Sequence, residues 1–107
     1  MLSMTTALAL AMQTAAVPAP PACPAGLAAG SARIWVYSAP SAGARKTAKL
    51  RPGSPLFICN ANAGWLYVLY RDRRHSCPGT AAGLDLRYTS TCASGWLPRH
   101  RVAIVSR

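Results

Sequence analysis

The sequence predicts an all-β domain, and three observations carry that prediction. Short β-branched and aromatic segments with alternating polarity recur along the chain, Gly, Pro and Asn punctuate them, and no stretch follows the 3.6-residue period of a helix. The 107 residues leave room for one small domain. At 51% apolar the chain is also too rich in core-forming residues for an obligately disordered tail.

Residues 18–31 are mostly Pro, Ala and Gly with one cysteine, which reads as an extended arm. Residues 32–38 (ARIWVYS) alternate and form a strand, and residues 39–44 form a loop. Residues 46–50 make a short strand ending at the turn signal Arg51-Pro52-Gly53. Residues 56–59 (LFIC) are a compact apolar strand, followed by a tight connection over 60–64 (NANAG). Residues 65–70 (WLYVLY) give the strongest strand signal in the chain. Residues 71–92 hold a basic polar stretch, a Pro78-Gly79 turn and a second alternating segment at 84–88. Gly95-Trp96-Leu97 opens another strand, and residues 102–105 (VAIV) supply the last.

The first residues read differently. Residues 2–12 are apolar, Thr14 and Ala16 suit the −3 and −1 positions of a cleavage site, and Pro-rich sequence follows. That layout is a secretory signal peptide over residues 1–16, although its first residues lack the usual Lys or Arg. The mature chain is then 17–107, a Pro/Ala-rich arm (17–31) followed by the domain (32–107). No apolar run reaches the roughly 18 residues of a spanning helix, so no integral membrane span is expected.

Cys23, Cys59, Cys77 and Cys92 fit an exported domain with two disulfides, which compensate for a small core. Zinc needs closely spaced ligand pairs, and the spacings here are 36, 18 and 15, so no metal site is expected. Four cysteines allow three pairings. The preferred one joins Cys77 to Cys92, closing one loop, and Cys23 to Cys59, tying the arm to a strand.

Four of these segments fall in a telling order: Val36-Tyr37-Ser38-Ala39-Pro40, Leu50-Arg51-Pro52-Gly53, Gly64-Trp65-Leu66-Tyr67-Val68 and Ser94-Gly95-Trp96-Leu97. Over roughly residues 32–106 the chain resembles a bacterial SH3 (SH3b-like) domain. The family pattern runs from a V-R-S-G-P strand and loop through an L-x-x-G turn to two G-W strands. Here Ala39 stands where Gly is usual, and an insert over residues 71–94 separates the G-W motifs where the family has a short turn. The insert and the Y-x-x-x-C-x-S-G-W run from Tyr88 resemble an exported subgroup with a Cys-bearing insert. The resemblance implies a small five-stranded SH3-like barrel with an extended hairpin insert.

If the insert prolongs the hairpin and turns near residues 79–82, Trp65 falls opposite Trp96. Alternation then puts Leu66, Val68 and Tyr70 inside with Ile34, Val36, Leu50, Phe57, Leu97, Ala103 and Val105. Trp65, Tyr67 and Leu69 face the other way.

Catalysis finds little material in this chain. The only carboxylates are Asp72 and Asp85, and no nucleophile, phosphate-loop or metal-helix motif is present. Neither an enzyme nor a cofactor is expected. Two features suit binding. Trp35, Tyr37, Trp65, Tyr67 and Trp96 offer flat faces that stack on sugar or peptide. Arginine is the other: ten of the twelve basic residues are Arg, in a chain of formal charge +10. Arg71, Arg73, Arg74, Arg99 and Arg101 are the candidate anion contacts, and polyanions will be attracted at low salt. The expectation is a periplasmic or secreted binding module. Its partner is peptidoglycan, another cell-envelope component or an envelope protein, the wall target being implied by the resemblance. The alternative is a basic nucleic-acid-binding module of the same fold. The oligomeric state is left open.

Overall fold

The computed structural model describes residues 22–105. The signal peptide expected over 1–16 and the first residues of the arm lie outside the described residues. Among the described residues nine strands follow in order: β1 (Ala22–Cys23), β2 (Ala25–Ala28), β3 (Ile34–Tyr37), β4 (Lys46–Leu50), β5 (Pro55–Asn62), β6 (Trp65–Tyr70), β7 (Leu84–Asp85), β8 (Ala93–Pro98) and β9 (Val102–Ile104). Short 3-10 turns occupy Leu86–Thr91 and Arg99–Arg101.

The fold is all-β. Seven strands form one antiparallel sheet in the order β4-β3-β8-β6-β5-β2-β9, and β1 pairs with β7 in a separate two-stranded ribbon. The sheet is open, with β4 and β9 at its edges. It nevertheless curls around one core, because every one of its strands feeds the same apolar cluster. Ile34, Val36, Leu50, Leu56, Leu66, Val68, Tyr70 and Leu97 are buried there with Ala28, and Val102 packs against them from the last strand. In β3 and β8 the alternation is strict: Ile34, Val36 and Leu97 point inward while Trp35, Tyr37 and Trp96 remain half-buried on the outer face.

The two glycines that precede the G-W tryptophans do different work. Gly64 (φ 88°) follows Ala63 (φ 48°) in the two-residue turn between β5 and β6, where both central positions need positive φ. Gly95 is buried under β3, and a Cβ there would collide with Val36 Cγ1. Only a residue without a side chain lets β8 approach β3 so closely.

Several expectations require correction. The segment read as an arm is structural from Ala22 onward: β2 pairs with both β5 and β9, so the sheet has seven strands where five were expected. Its small side chains have low strand propensity but fit a crowded position, with Ala25 and Ala28 buried. β5 runs to Asn62 because Asn60, Ala61 and Asn62 continue to pair with β6. Trp96 lies opposite Tyr67, and Trp65 opposite Pro98. This two-residue shift from the expected register leaves the β6 and β8 side chains on their expected faces. The last strand is misread by one face: Ala103 and Val105 are exposed, and Val102 is the residue that packs inward.

The insert does not prolong the hairpin. Its only paired strand, β7, leaves β6 and β8 to join β1, and residues 86–91 coil into the 3-10 turn. By doing so the insert covers the outer face of β5 and β6. A second apolar cluster forms there from Cys23, Ala25, Phe57, Leu69, Leu84 and Cys92. Phe57, expected in the main core, and Leu69, expected on the open face, both belong to this cluster. The disulfides Cys23–Cys59 and Cys77–Cys92 pin it, joining the preferred pairs.

Candidate functional site

The outer face that the insert leaves open is an aromatic band. Tyr37 of β3 lies opposite Trp96 of β8, which in turn lies opposite Tyr67 of β6. The Tyr67 and Trp96 rings are 5.2 Å apart and tilted, and the Tyr37 and Trp65 rings meet edge to face at 5.3 Å. Trp35 extends the band along β3. All five rings are half-buried, so each is braced by its neighbours and still presents a face to solvent. The band therefore spans three neighbouring strands, and it stops where Tyr67 packs against the second cluster. The five aromatics singled out in the sequence are thus brought together.

The basic residues are distributed differently from expectation. Lys46 and Lys49 of β4 reach across to Trp35, their Nζ atoms 5.0 and 6.0 Å from the ring centroid. Pairing of Trp35 with Lys49 and of Tyr37 with Lys46 puts them there. These two lysines were missed as site residues, and the signal was available: a hairpin across residues 39–44 sets them beside the β3 aromatics. Arg71, Arg73 and Arg74 follow the far end of β6 from Trp65, so strand direction separates them from the band. Arg99 follows Pro98, which lies opposite Trp65, and its N–H donates to the Gly64 carbonyl at 2.8 Å. Arg101 is half-buried and lies across Gly30, where it packs as a structural residue.

Both carboxylates serve local structure. Asp72 Oδ1 accepts from the Arg74 N–H, the His75 N–H and His75 Nδ1, each at 2.8 Å. The His75 side-chain hydrogen bond, aided by the two backbone N–H groups, holds this exposed carboxyl below its ordinary value. Asp85 caps the Leu86–Thr91 turn through the Arg87 N–H and binds the Arg87 guanidinium through both oxygens. That guanidinium pulls the Asp85 carboxyl down in the same way. Among the described residues, no cluster of three or more His, Cys, Asp or Glu side chains could hold a metal ion. Likewise, no helix among them is long and apolar enough to cross a membrane.

The arrangement offers flat π faces bordered by ammonium groups, while Asp72 and Asp85 are each engaged by a neighbour within the insert. Its natural complement is a ligand with planar or pyranose faces and acidic substituents. No protein-family model, curated protein or solved structure matches this chain.

Proposed function

We propose that this chain is an exported, non-catalytic SH3-like binding module whose ligand is the bacterial cell wall, held on the aromatic band. One observation carries the reading: five half-exposed rings, Trp35, Tyr37, Trp96, Tyr67 and Trp65, share one face of three adjacent strands. The four ordered SH3b-like motifs support the fold assignment. Two disulfides that use all four cysteines support an oxidising compartment. Peptidoglycan combines sugar faces with peptide carboxylates, and the band with Lys46 and Lys49 matches both. In this reading the glycan or stem peptide stacks on the rings while the lysines meet a carboxylate. Arg71, Arg73 and Arg74 contribute only long-range attraction.

The test is retention on purified insoluble peptidoglycan at physiological salt, against a charge-matched control protein. The expected result is retention well above the control, lowered at least tenfold by Trp96→Ala. That substitution removes one ring pair and the buried part of the indole, so it should lower folding stability by about 2–4 kcal/mol, and a urea melt checks that the variant is folded when assayed. Retention no better than the control would end the wall-binding reading. So would binding that a nucleic acid displaces completely and that falls steeply with salt, which would favour the nucleic-acid alternative.

A further inference from the structure

The seam between the insert and β5, which none of the five band aromatics lines, holds two adjoining cavities. They measure about 320 and about 330 Å³ and share Pro55, Phe57 and Gly79. The insert makes this seam. Gly79 lies flat on the Phe57 ring, where a Cβ would clash with the ring carbons, and the Cys77–Cys92 disulfide anchors the segment beside it. The first cavity has a polar end formed by Tyr70, Arg71 and Ser54. The second is lined by Leu27, Leu56, Ala81 and Val105 among others, with Thr80 as its only polar side chain. Leu27 and Val105 are exposed, an unusual condition for apolar side chains facing one groove.

The polar end holds two donors without acceptors. Tyr70 is 4% exposed as a residue; no buried side-chain N or O is left unpaired among the described residues, so its hydroxyl, which makes no hydrogen bond there, reaches the open cavity. Both Asp carboxylates are engaged elsewhere, Asp72 by His75 and Asp85 by Arg87, which leaves the Arg71 guanidinium without an acidic partner. Burial, with the Asp72 charge adding to it, raises the Tyr70 pKa, so this group remains a neutral donor throughout the physiological range. One fixed cation, one neutral O–H and an apolar continuation define the chemistry of a complementary ligand, whose head must lie on the Arg71 side because the Asp72 charge, held by His75, also reaches Tyr70. It carries a single negative charge, accepts two hydrogen bonds and has an apolar body.

We propose that this seam is a second binding site, for an amphiphilic monocarboxylate of acyl-chain type. The carboxylate sits between Arg71 and the Tyr70 hydroxyl, and the chain lies along Pro55 and Phe57 toward Leu27 and Val105. A carboxylate suits the guanidinium fork, and the single cation disfavours a dianionic phosphate. The acyl class follows from the second cavity, whose side chains offer a peptide backbone only Thr80.

The probe is sodium octanoate below its micellar concentration, titrated into the disulfide-bonded protein and followed by amide NMR shifts. Saturable shifts are expected around Tyr70, Arg71 and Gly79, with a Kd below about 1 mM. Arg71→Gln should weaken binding at least tenfold and Tyr70→Phe several-fold, whereas Arg99→Gln should leave it unchanged. Octanol and acetate, lacking the head and the tail respectively, should each bind at least tenfold more weakly. Arg71 is exposed, so its substitution tests the site without depending on folding, and a thermal melt confirms that Tyr70→Phe is folded. The proposal is overturned if shifts spread over the basic surface and respond equally to Arg99→Gln. Octanol binding as tightly as octanoate, or no saturation by about 10 mM, overturns it as well. Tighter binding of N-acetyl-Leu-Leu than of octanoate would overturn the acyl assignment in favour of a peptide C-terminus. None of these outcomes depends on wall binding by the aromatic band.

Discussion

Gly95→Ala probes the contact on which the aromatic band is built. A methyl at this position would overlap Val36 Cγ1 and lie 3.2 Å from the Tyr37 carbonyl oxygen. Val36 is fully buried, so β8 and β3 must separate to make room. Overpacking of this kind costs about 1–3 kcal/mol, and Ala recovers up to about 1 kcal/mol of backbone entropy relative to Gly. A net loss of about 1–2 kcal/mol is expected. Val36→Ala alone removes two buried methyl groups, about 1.6 kcal/mol of transfer energy plus a cavity contribution, for a total of about 2–3 kcal/mol. In the double variant the methyl introduced by Gly95→Ala occupies the space that the Val36 methyl groups vacate. The pair should therefore cost about 2–3 kcal/mol, no more than Val36→Ala alone, with a coupling energy of about 1–2 kcal/mol. Urea denaturation of the four proteins with disulfides intact gives that number directly. Losses that add to within about 0.5 kcal/mol would show that Gly95 does not face Val36, and the β3–β8 register would fall with it.

Three further outcomes are expected. Removing Cys23–Cys59 by paired Ser substitution should cost more than removing Cys77–Cys92, about 3.8 against about 3 kcal/mol, because the sequence separations are 36 and 15; the reverse order in urea melts would contradict the chain-entropy account. The Asp72 carboxyl is depressed in the folded protein, so the stabilisation it gives the turn is present above the unfolded carboxylate pKa and is lost as pH falls through the lower folded value. The Asp72 side-chain carboxyl carbon signal should accordingly show its own titration only below about pH 4, and a carboxyl titration centred near pH 5 would contradict the hydrogen-bonded geometry. Tyr70 behaves in the opposite sense: its raised pKa means the folded state keeps a proton that the unfolded chain releases, so stability falls as pH rises above about 10. Tyr70→Phe should remove that part of the alkaline destabilisation, and an unchanged urea midpoint-versus-pH curve would count against desolvation of the Tyr70 phenol.

The fold class was legible because β3 and β8 alternate throughout and β6 does so from Trp65 to Val68, and the same alternation put Trp35, Tyr37, Trp65, Tyr67 and Trp96 on one face. The edge of the site was not read correctly. Arg71, Arg73 and Arg74 neighbour the β6 aromatics in sequence, but a strand carries its ends apart, while Lys46 and Lys49 approach Trp35 through cross-strand pairing. The second cluster was hidden for a related reason. Phe57 and Leu69 look like residues in need of a core, yet their cover comes from Cys23, Leu84 and Cys92, distant in sequence and joined to them only by tertiary packing. The N-terminal strands escaped notice because Pro, Ala and Gly carry almost no strand signal. β2 is held by its position between β5 and β9, where tertiary context outweighs propensity.

The central claim is that the ligand of this domain lies on the Trp35–Tyr37–Trp96–Tyr67–Trp65 face. Titrating soluble peptidoglycan fragments into the isotopically labelled protein at physiological salt, and following the three Trp indole N–H signals, tests it most directly. Saturable shifts of the Trp35, Trp65 and Trp96 indoles, with the Lys46 and Lys49 amides moving in step, are the predicted result. Indole signals that stay fixed while the fragments bind elsewhere, or do not bind at all, would contradict it.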